Sequence, residues 1–256
     1  RAIDEDPQHR RWLSCRASLG TVNIMTWHGG RLLVHQLKRL GVDTVFGLFA
    51  GHLGPIFDAC LDEGIRIVAV RHEEAAVHMA HAYARLRRTT GVALVTAGPG
   101  LTHATSGIAT AWSGRAPVLV IAGRWPTPQE HLGAFHEIDQ IGVVRPITKW
   151  AGTCGQTARL PEYVDIAWRA AATGGPAVLD VPTDVLQASV DEAAVRFPTP
   201  PPRHHLPALS PEAAGEVLAG LAAAQRPIIL AGSGVWWAGA ERALLDFLEA
   251  TGLPVL

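Results

Sequence analysis

The chain has 256 residues, of which 48% are hydrophobic and 18% charged, with a formal net charge of -1. These values describe an ordinary soluble globular protein and exclude a disordered or fibrous one. The near-zero charge gives no electrostatic reason to propose nucleic acid or an anionic membrane as a partner, because both rely on clustered Lys and Arg to displace counterions.

The first 24 residues, "RAIDEDPQHRRWLSCRASLGTVNI", show neither the apolar core of a signal peptide nor a helix or strand period. Met25 is a natural start, so residues 1–24 are read as an extension of unknown role. Cys15, Cys60 and Cys154 are odd in number, far apart and in no C-x-x-C arrangement, which argues against a disulfide framework or structural zinc and makes a reducing cytoplasm the default. The longest apolar runs, such as "APVLVIAG", fall far short of the roughly 20 residues a membrane span needs.

From Met25 onward, helical patterns alternate with short β-branched runs. "GGRLLVHQLKRLGV" places Leu33, Leu37 and Leu40 on one face and stops at Gly41, a helix-ending glycine. "TVFGLF", "IRIVAV", "VALVT", "PVLVIAG" and "AVLDV" read as buried strands, with helices predicted at 53–63, 73–88, 101–113 and 160–173. The cluster Arg85, Arg87 and Arg88 reads as a solvated helix end. Strands apolar on both faces and separated by helices predict an α/β fold with a parallel sheet covered on both sides. The Pro-rich stretch 191–209 reads as an interdomain linker separating a domain at 25–190 from the start of a second α/β domain at 210–256. There Ser210 and Pro211 suit a helix start, "RPIILAGSG" a strand and Gly turn, and "AGAERALLDFLEATG" a second helix. A β-α unit this short cannot bury a core of its own.

Ligands of open parallel sheets bind beyond the carboxyl ends of the strands. Three turns there carry candidate chemistry: "FGLFAGH" with Gly51 and His52, "RHEE" with Glu73 and Glu74, and "TAGPGLTH" with Thr96, Gly98, Pro99, Gly100 and His103. Each has an ordinary alternative, since a helix start favours any carboxylate and loop histidines are common. "GPGLTH" is not a dinucleotide fingerprint: Pro99 replaces the variable residue between the glycines, and His103 stands where a third Gly belongs. "HEEAAVH" lacks the spacing of a zinc-binding H-E-x-x-H, leaving His78 and His81 as an i, i+3 pair without a third ligand. No G-x-S-x-G is present for nucleophilic hydrolysis.

Taken in order, "GGRLLVHQLKRLGVDTVFGLFAGHLGPIFDACLDEGI", "VRHEEAAVHMAHAYAR", "GVALVTAGPGLTHATSGIATAW", "GAFHEIDQIGVVRPITKWA" and "GPAVLDVPTDVL" closely resemble the thiamine-diphosphate-dependent family that includes acetolactate synthase, benzaldehyde lyase and 2-hydroxyacyl-CoA lyase. The resemblance runs from about Met25 to Leu256. It implies a pyrimidine-binding domain over 25–190 and the truncated start of a central domain over 210–256. It also implies that Glu73 bonds a ring nitrogen of the cofactor's aminopyrimidine and promotes its imino tautomer, which removes the thiazolium C2 proton. Glu74 carries no chemistry by this resemblance. Gly51, the Thr96–Gly98–Pro99–Gly100 turn and His103 would line the cofactor, His136 the substrate, and His52 would transfer protons on the substrate as in benzaldehyde lyase.

Several positions depart from the pattern. His103 stands where the family often has Asn, His136 where Gln is common, and His81-Ala82 where an acidic-Gly pair is usual. The family's Gly-Asp-Gly motif, which holds the diphosphate through Mg²⁺, is absent from these residues. The expectation is therefore the N-terminal part of a carboligase or lyase acting on a 2-oxo acid, aldehyde or 2-hydroxy ketone. Its Mg²⁺ ligands lie elsewhere, its flavin use depends on residues beyond this chain, and its active site is shared with a second subunit. The rival expectation is a stand-alone pyrimidine-type domain that acts as a binding or assembly module.

Overall fold

A computed structural model describes residues 27–201 and 209–256. The extension read over 1–24, with Cys15, and the 202–208 part of the linker lie outside the described residues. The chain forms two compact units, the first ending at Pro200 and the second running Pro201–Leu256.

The first unit opens with α1 (Gly29–Arg39), whose N-cap His28 accepts the Arg31 N–H and which ends before Gly41 at φ 88°. It continues through β1 (Thr44–Gly47), α2 (Gly54–Asp62), β2 (Arg66–Ala69), α3 (Glu73–Arg87), β3 (Gly91–Val95), α4 (Pro99–His103), α5 (Thr105–Ser113) and β4 (Val118–Arg124). It closes with α6 (Gln140–Val144), β5 (Trp150–Thr153), α7 (Leu160–Ala172), β6 (Pro176–Pro182) and α8 (Thr183–Gln187). Every strand pairing is parallel. The order is β2-β1-β3-β4-β6-β5, six strands rather than the five apparent in the sequence.

The extra strand, β5, lies at the sheet edge with its four residues only half-buried, so "WAGT" never shows the continuous apolar run of a central strand. By contrast β3, β4 and β6 are buried almost throughout. The helix expected at 101–113 is two segments, because the chain breaks between His103 and Thr105 at Ala104.

One face of the sheet is covered by α1, α2 and α7, which bury Leu32, Leu33, Leu37, Ile56, Phe57, Val164 and Trp168 in a single core. The other is covered by α3 and α5, whose buried faces are almost all small residues: Ala76, Val77, Ala80, Ala84, Gly107 and Ala111. Small residues let backbones come close. A Cβ on Gly91 would sit 2.0 Å from the Ala80 carbonyl oxygen, so only glycine lets α3 cross β3 at this distance. Cys60 and Cys154 are buried, their thiols pushed up to about 12 and about 11 by burial, which makes both unreactive.

Residues 191–200 are not a free linker. Phe197 packs against Trp27 and His35, and Gln36 Nε2 donates to the Pro198 carbonyl at 3.3 Å, so this stretch closes the first unit.

The second unit holds α9 (Pro211–Ala223), α10 (Ser233–Ala238) and α11 (Glu241–Thr251). Ser210 caps α9 through the Ala213 N–H, as its sequence implies. The strand expected in "RPIILAGSG" reduces to a single parallel bridge, Ile229 to Val255, and "GSG" opens α10 instead of a simple turn. No helix residue of this unit is buried. No described helix is long and apolar enough to cross a membrane.

Gly91→Ala is expected to destabilise the first unit by about 2 kcal/mol through overpacking against Ala80. A thermal melt should show this, with Gly91→Val costing more. A melting temperature unchanged in Gly91→Ala would mean that α3 and β3 can separate at no cost.

Candidate functional site

The strand order reverses between β1 and β3, since the chain leaves β1 toward β2 on one side and returns to place β3 on the other. The crossover helices diverge to opposite faces there and leave a crevice beyond the carboxyl ends. Residues from four neighbouring strand ends meet at it.

From β1, a short 3-10 turn Gly51–Leu53 presents His52. Its Nδ1 lies 3.2 Å from Thr96 Oγ1 at the end of β3, and a Cβ on Gly123 at the end of β4 would approach the His52 Cβ to 2.6 Å. The His52 ring also stacks with those of Phe135 and His136, at centroid distances of 6.4 and 6.0 Å. Burial and then the neighbouring His136 hold the His52 imidazole below its usual range, so it is neutral at pH 7.

From β2, the turn ends in His72, whose extended backbone and side-chain bond to the Glu74 N–H cap α3. Glu73 is the first residue of that helix and is 6% exposed, whereas Glu74 is a surface residue bonded to His78. Glu73 Oε2 is 3.2 Å from His103 Nδ1, and the His103 ring stacks on His72 at 5.0 Å. Sequence reasoning placed Glu73 and His103 in the same crevice but did not foresee that they touch.

From β3, Gly98 has φ 54° and ψ -109°, a conformation closed to side chains. A Cβ there would also lie 2.2 Å from the His136 carbonyl oxygen. Pro99 opens α4, and Gly100 faces Glu73: a Cβ on Gly100 would be 2.4 Å from Thr96 Cγ2 and 3.2 Å from Glu73 Oε1. The missing side chain keeps the approach to that carboxylate open.

A group of three residues escaped the sequence reading. Asp180 in β6 has no exposed surface, and its Oδ2 accepts from Gln140 Nε2 at 2.8 Å and from Arg124 Nη1 at 2.9 Å. Gln140, also fully buried, donates to the Gly123 carbonyl at 3.0 Å and accepts the Gly98 N–H at 2.8 Å. Arg124 also pairs with Glu130, in the loop that carries Phe135 and His136. A charged residue inside the apolar run "AVLDV" was the available signal, because a buried carboxylate implies dedicated partners.

All nine candidate residues, Gly51, His52, Glu73, Thr96, Gly98, Pro99, Gly100, His103 and His136, therefore lie at the carboxyl edge of this sheet or in the loop beside it. Six of them form two contact groups: His52, Thr96 and His136 in one, Glu73, His103 and Gly100 in the other, while Gly51 faces open space. The Thr96–Gly100 turn joins them.

Comparison with known proteins gives the family of the chain. Residues 27–143 match the N-terminal TPP binding domain of thiamine pyrophosphate enzymes, and residues 214–256 match their central domain. The chain belongs to the thiamine pyrophosphate enzyme family. It is 40% identical over 246 residues to a probable acetolactate synthase of Mycobacterium bovis, covering 93% of this chain and 44% of that protein. An acetolactate synthase large subunit of Lactococcus lactis is 36% identical, with 89% of this chain and 40% of the relative covered. Acetolactate synthase isozyme 3 large subunit of Escherichia coli is also 36% identical, with 89% and 41% covered. The chain thus spans less than half the length of these relatives.

The crevice fits the aminopyrimidine half of the cofactor: a buried carboxylate with a side-chain-free approach, bounded by a backbone turn. It does not fit the diphosphate half. No group of three or more His, Cys, Asp or Glu able to hold a metal occurs among the described residues.

The pH response of Asp180 follows from its burial. Loss of solvent, opposed by Gln140, Arg124 and Thr153, pushes this carboxyl from its usual 3.8 up to about 6. Between those values the folded protein keeps a proton that the unfolded chain releases, so this contribution to stability is present below 3.8 and lost as pH rises through 6. Melting temperatures from pH 4 to 6 should show the advantage of wild type over Asp180→Asn shrinking as pH rises; an advantage that grows would contradict the assignment.

Proposed function

We propose that this chain is the N-terminal part of a thiamine-diphosphate-dependent enzyme that forms or cleaves a C–C bond next to a carbonyl, of the acetolactate synthase or benzaldehyde lyase type. The observation that carries this reading is the buried Glu73 carboxylate facing the bare backbone of Gly100 at the sheet's switch point. The names of the relatives support the carboligase side, and the neutral, Thr96-bonded His52 supports chemistry on a hydroxyl or carbonyl substrate.

When bound, thiamine diphosphate supplies a nucleophilic carbon and an electron sink for such reactions. In this chain Glu73 would hold and return a proton at a pyrimidine ring nitrogen, in a site dry enough to make that exchange directional. The Thr96–Gly100 turn would lie against the pyrimidine, with Gly98 and Gly100 permitting backbone approach. His52, uncharged at pH 7, would take a proton at its free ring nitrogen from a substrate hydroxyl. His136, whose buried Nδ1 has no hydrogen-bond partner, would offer a polar contact to the same substrate.

The diphosphate and its Mg²⁺ need oxygen ligands that this set of residues does not supply, so they would come from a longer chain, across an interface with a second subunit. On this reading the described portion alone does not turn over, and the substrates are small 2-oxo acids, aldehydes or 2-hydroxy ketones.

In the full-length protein, Glu73→Gln should slow hydrogen–deuterium exchange at cofactor C2 by about 10²- to 10⁴-fold, with the circular dichroism spectrum unchanged. Exchange at the wild-type rate would remove Glu73 from the mechanism and revive the idea of a binding module. His52→Ala should keep C2 exchange while product formation from pyruvate or benzoin falls, again by at least about 10²-fold. An unchanged product rate would exclude His52.

A further inference from the structure

The Thr96–Gly100 turn has no regular hydrogen-bonded strand or long helix to fix it. β3 stops at Val95, and α4 is only five residues long. Side chains from two other elements reach it: His52 Nδ1 meets the Thr96 hydroxyl at 3.2 Å, and the Gln140 amide takes hold of the backbone itself, accepting the Gly98 N–H at 2.8 Å. Gln140 and Asp180 have no exposed surface, so neither can exchange these bonds for water.

The direction of that amide is determined by its neighbours. A glutamine end group has one accepting and one donating atom, and either could in principle face Gly98. Here the donating Nε2 is held by two acceptors at once, Asp180 Oδ2 and the Gly123 carbonyl. Rotating the amide would set its oxygen against both of them and its NH2 against the Gly98 N–H, leaving like groups opposed at all three contacts. Asp180 is itself anchored by Arg124, whose other nitrogen pairs with Glu130 in the loop bearing His136. That loop presses on the turn, since the His136 carbonyl stands 2.2 Å from where a Gly98 Cβ would be.

We infer that Gln140, oriented by Asp180, is a positioning residue that sets the Gly98 turn and so the distance between Gly100 and the Glu73 carboxylate. This rests on the reading of the turn as cofactor-facing. Gln140 touches no reacting atom; it acts through the backbone of Gly98, and its loss should loosen cofactor placement more than a comparable loss of stability elsewhere.

The test uses the full-length protein as wild type, Gln140→Met, Gln140→Asn and a distant core control, Leu33→Val. Gln140→Met keeps volume and removes all three bonds. Gln140→Asn keeps an amide one methylene short of Gly98, and it gives the same readouts if the methionine variant does not fold. Measured well below the melting temperature, hydrogen exchange of the peptide containing Gly98 should rise about tenfold in the Gln140 variants, the size expected for one lost hydrogen bond. The dissociation constant for thiamine diphosphate should rise by about tenfold or more, because small misplacements at a site are costly. Leu33→Val should change the melting temperature but neither of these.

Wild-type exchange at Gly98 in folded Gln140 variants, an unchanged dissociation constant, or a Leu33→Val variant that reproduces both effects would each overturn the inference. Glu73→Gln, measured alongside, is expected to leave exchange at Gly98 untouched. A wild-type rate at cofactor C2 in that variant overturns the role given to Glu73 and leaves the result for Gln140 to be judged on Gly98 alone.

Discussion

A carboxylate without solvent costs several kcal/mol unless its oxygens are bonded, and Asp180 at the centre of β6 has no exposed surface. Much of the site's frame answers that demand. Arg124 and Gln140 converge on one Asp180 oxygen from different elements, which brings the end of β4 and the start of α6 over the sheet's carboxyl edge. Gln140 then has an oxygen left for Gly98, and Arg124 a nitrogen left for Glu130. A single buried charge thus ties together the turn after β3 and the loop after β4, whose own regular structure is limited to a five-residue helix and one 3-10 turn.

The two contact groups of the crevice differ in chemistry. Around Glu73 the surroundings are a capping helix start, a stacked pair of histidines and a glycine turn. Around His52 they are aromatic: Phe135 and His136 stack with it, and Thr96 fixes its Nδ1 side. The first suits exchange of a proton with a polar heteroaromatic ring, the second recognition of a small carbonyl compound with an apolar side. The Thr96–Gly100 turn belongs to both, so a displacement of that turn would be felt by each.

Close backbone approach is the second recurring device. Gly91 under Ala80, Gly123 against His52 and Gly100 against Glu73 each occupy places where even a methyl group would collide or crowd. The first serves packing of α3 on the sheet, and the others keep the crevice open. Glycine identity alone does not separate these uses.

The sequence by itself determined the α/β class, the positions of the central strands and the start of α3, because each is a local matter of apolar runs, helix periods and capping residues. It also determined that Glu73 and the Thr96–Gly100 turn belong at strand ends, since their spacing from the runs "IRIVAV" and "VALVT" leaves no other place. The edge strand β5 was not legible, because a half-buried edge lacks the continuous apolar pattern. Only the tertiary structure decided which strand ends are neighbours: the order β2-β1-β3-β4-β6-β5 puts Thr96 beside His52 across 44 residues and Gln140 beside Gly98 across 42. It also decided the partners of Asp180, which stand 40 and 56 residues away. Those contacts depend on crossover connections and on what a buried charge must find around it, and neither is written in any short stretch of the chain.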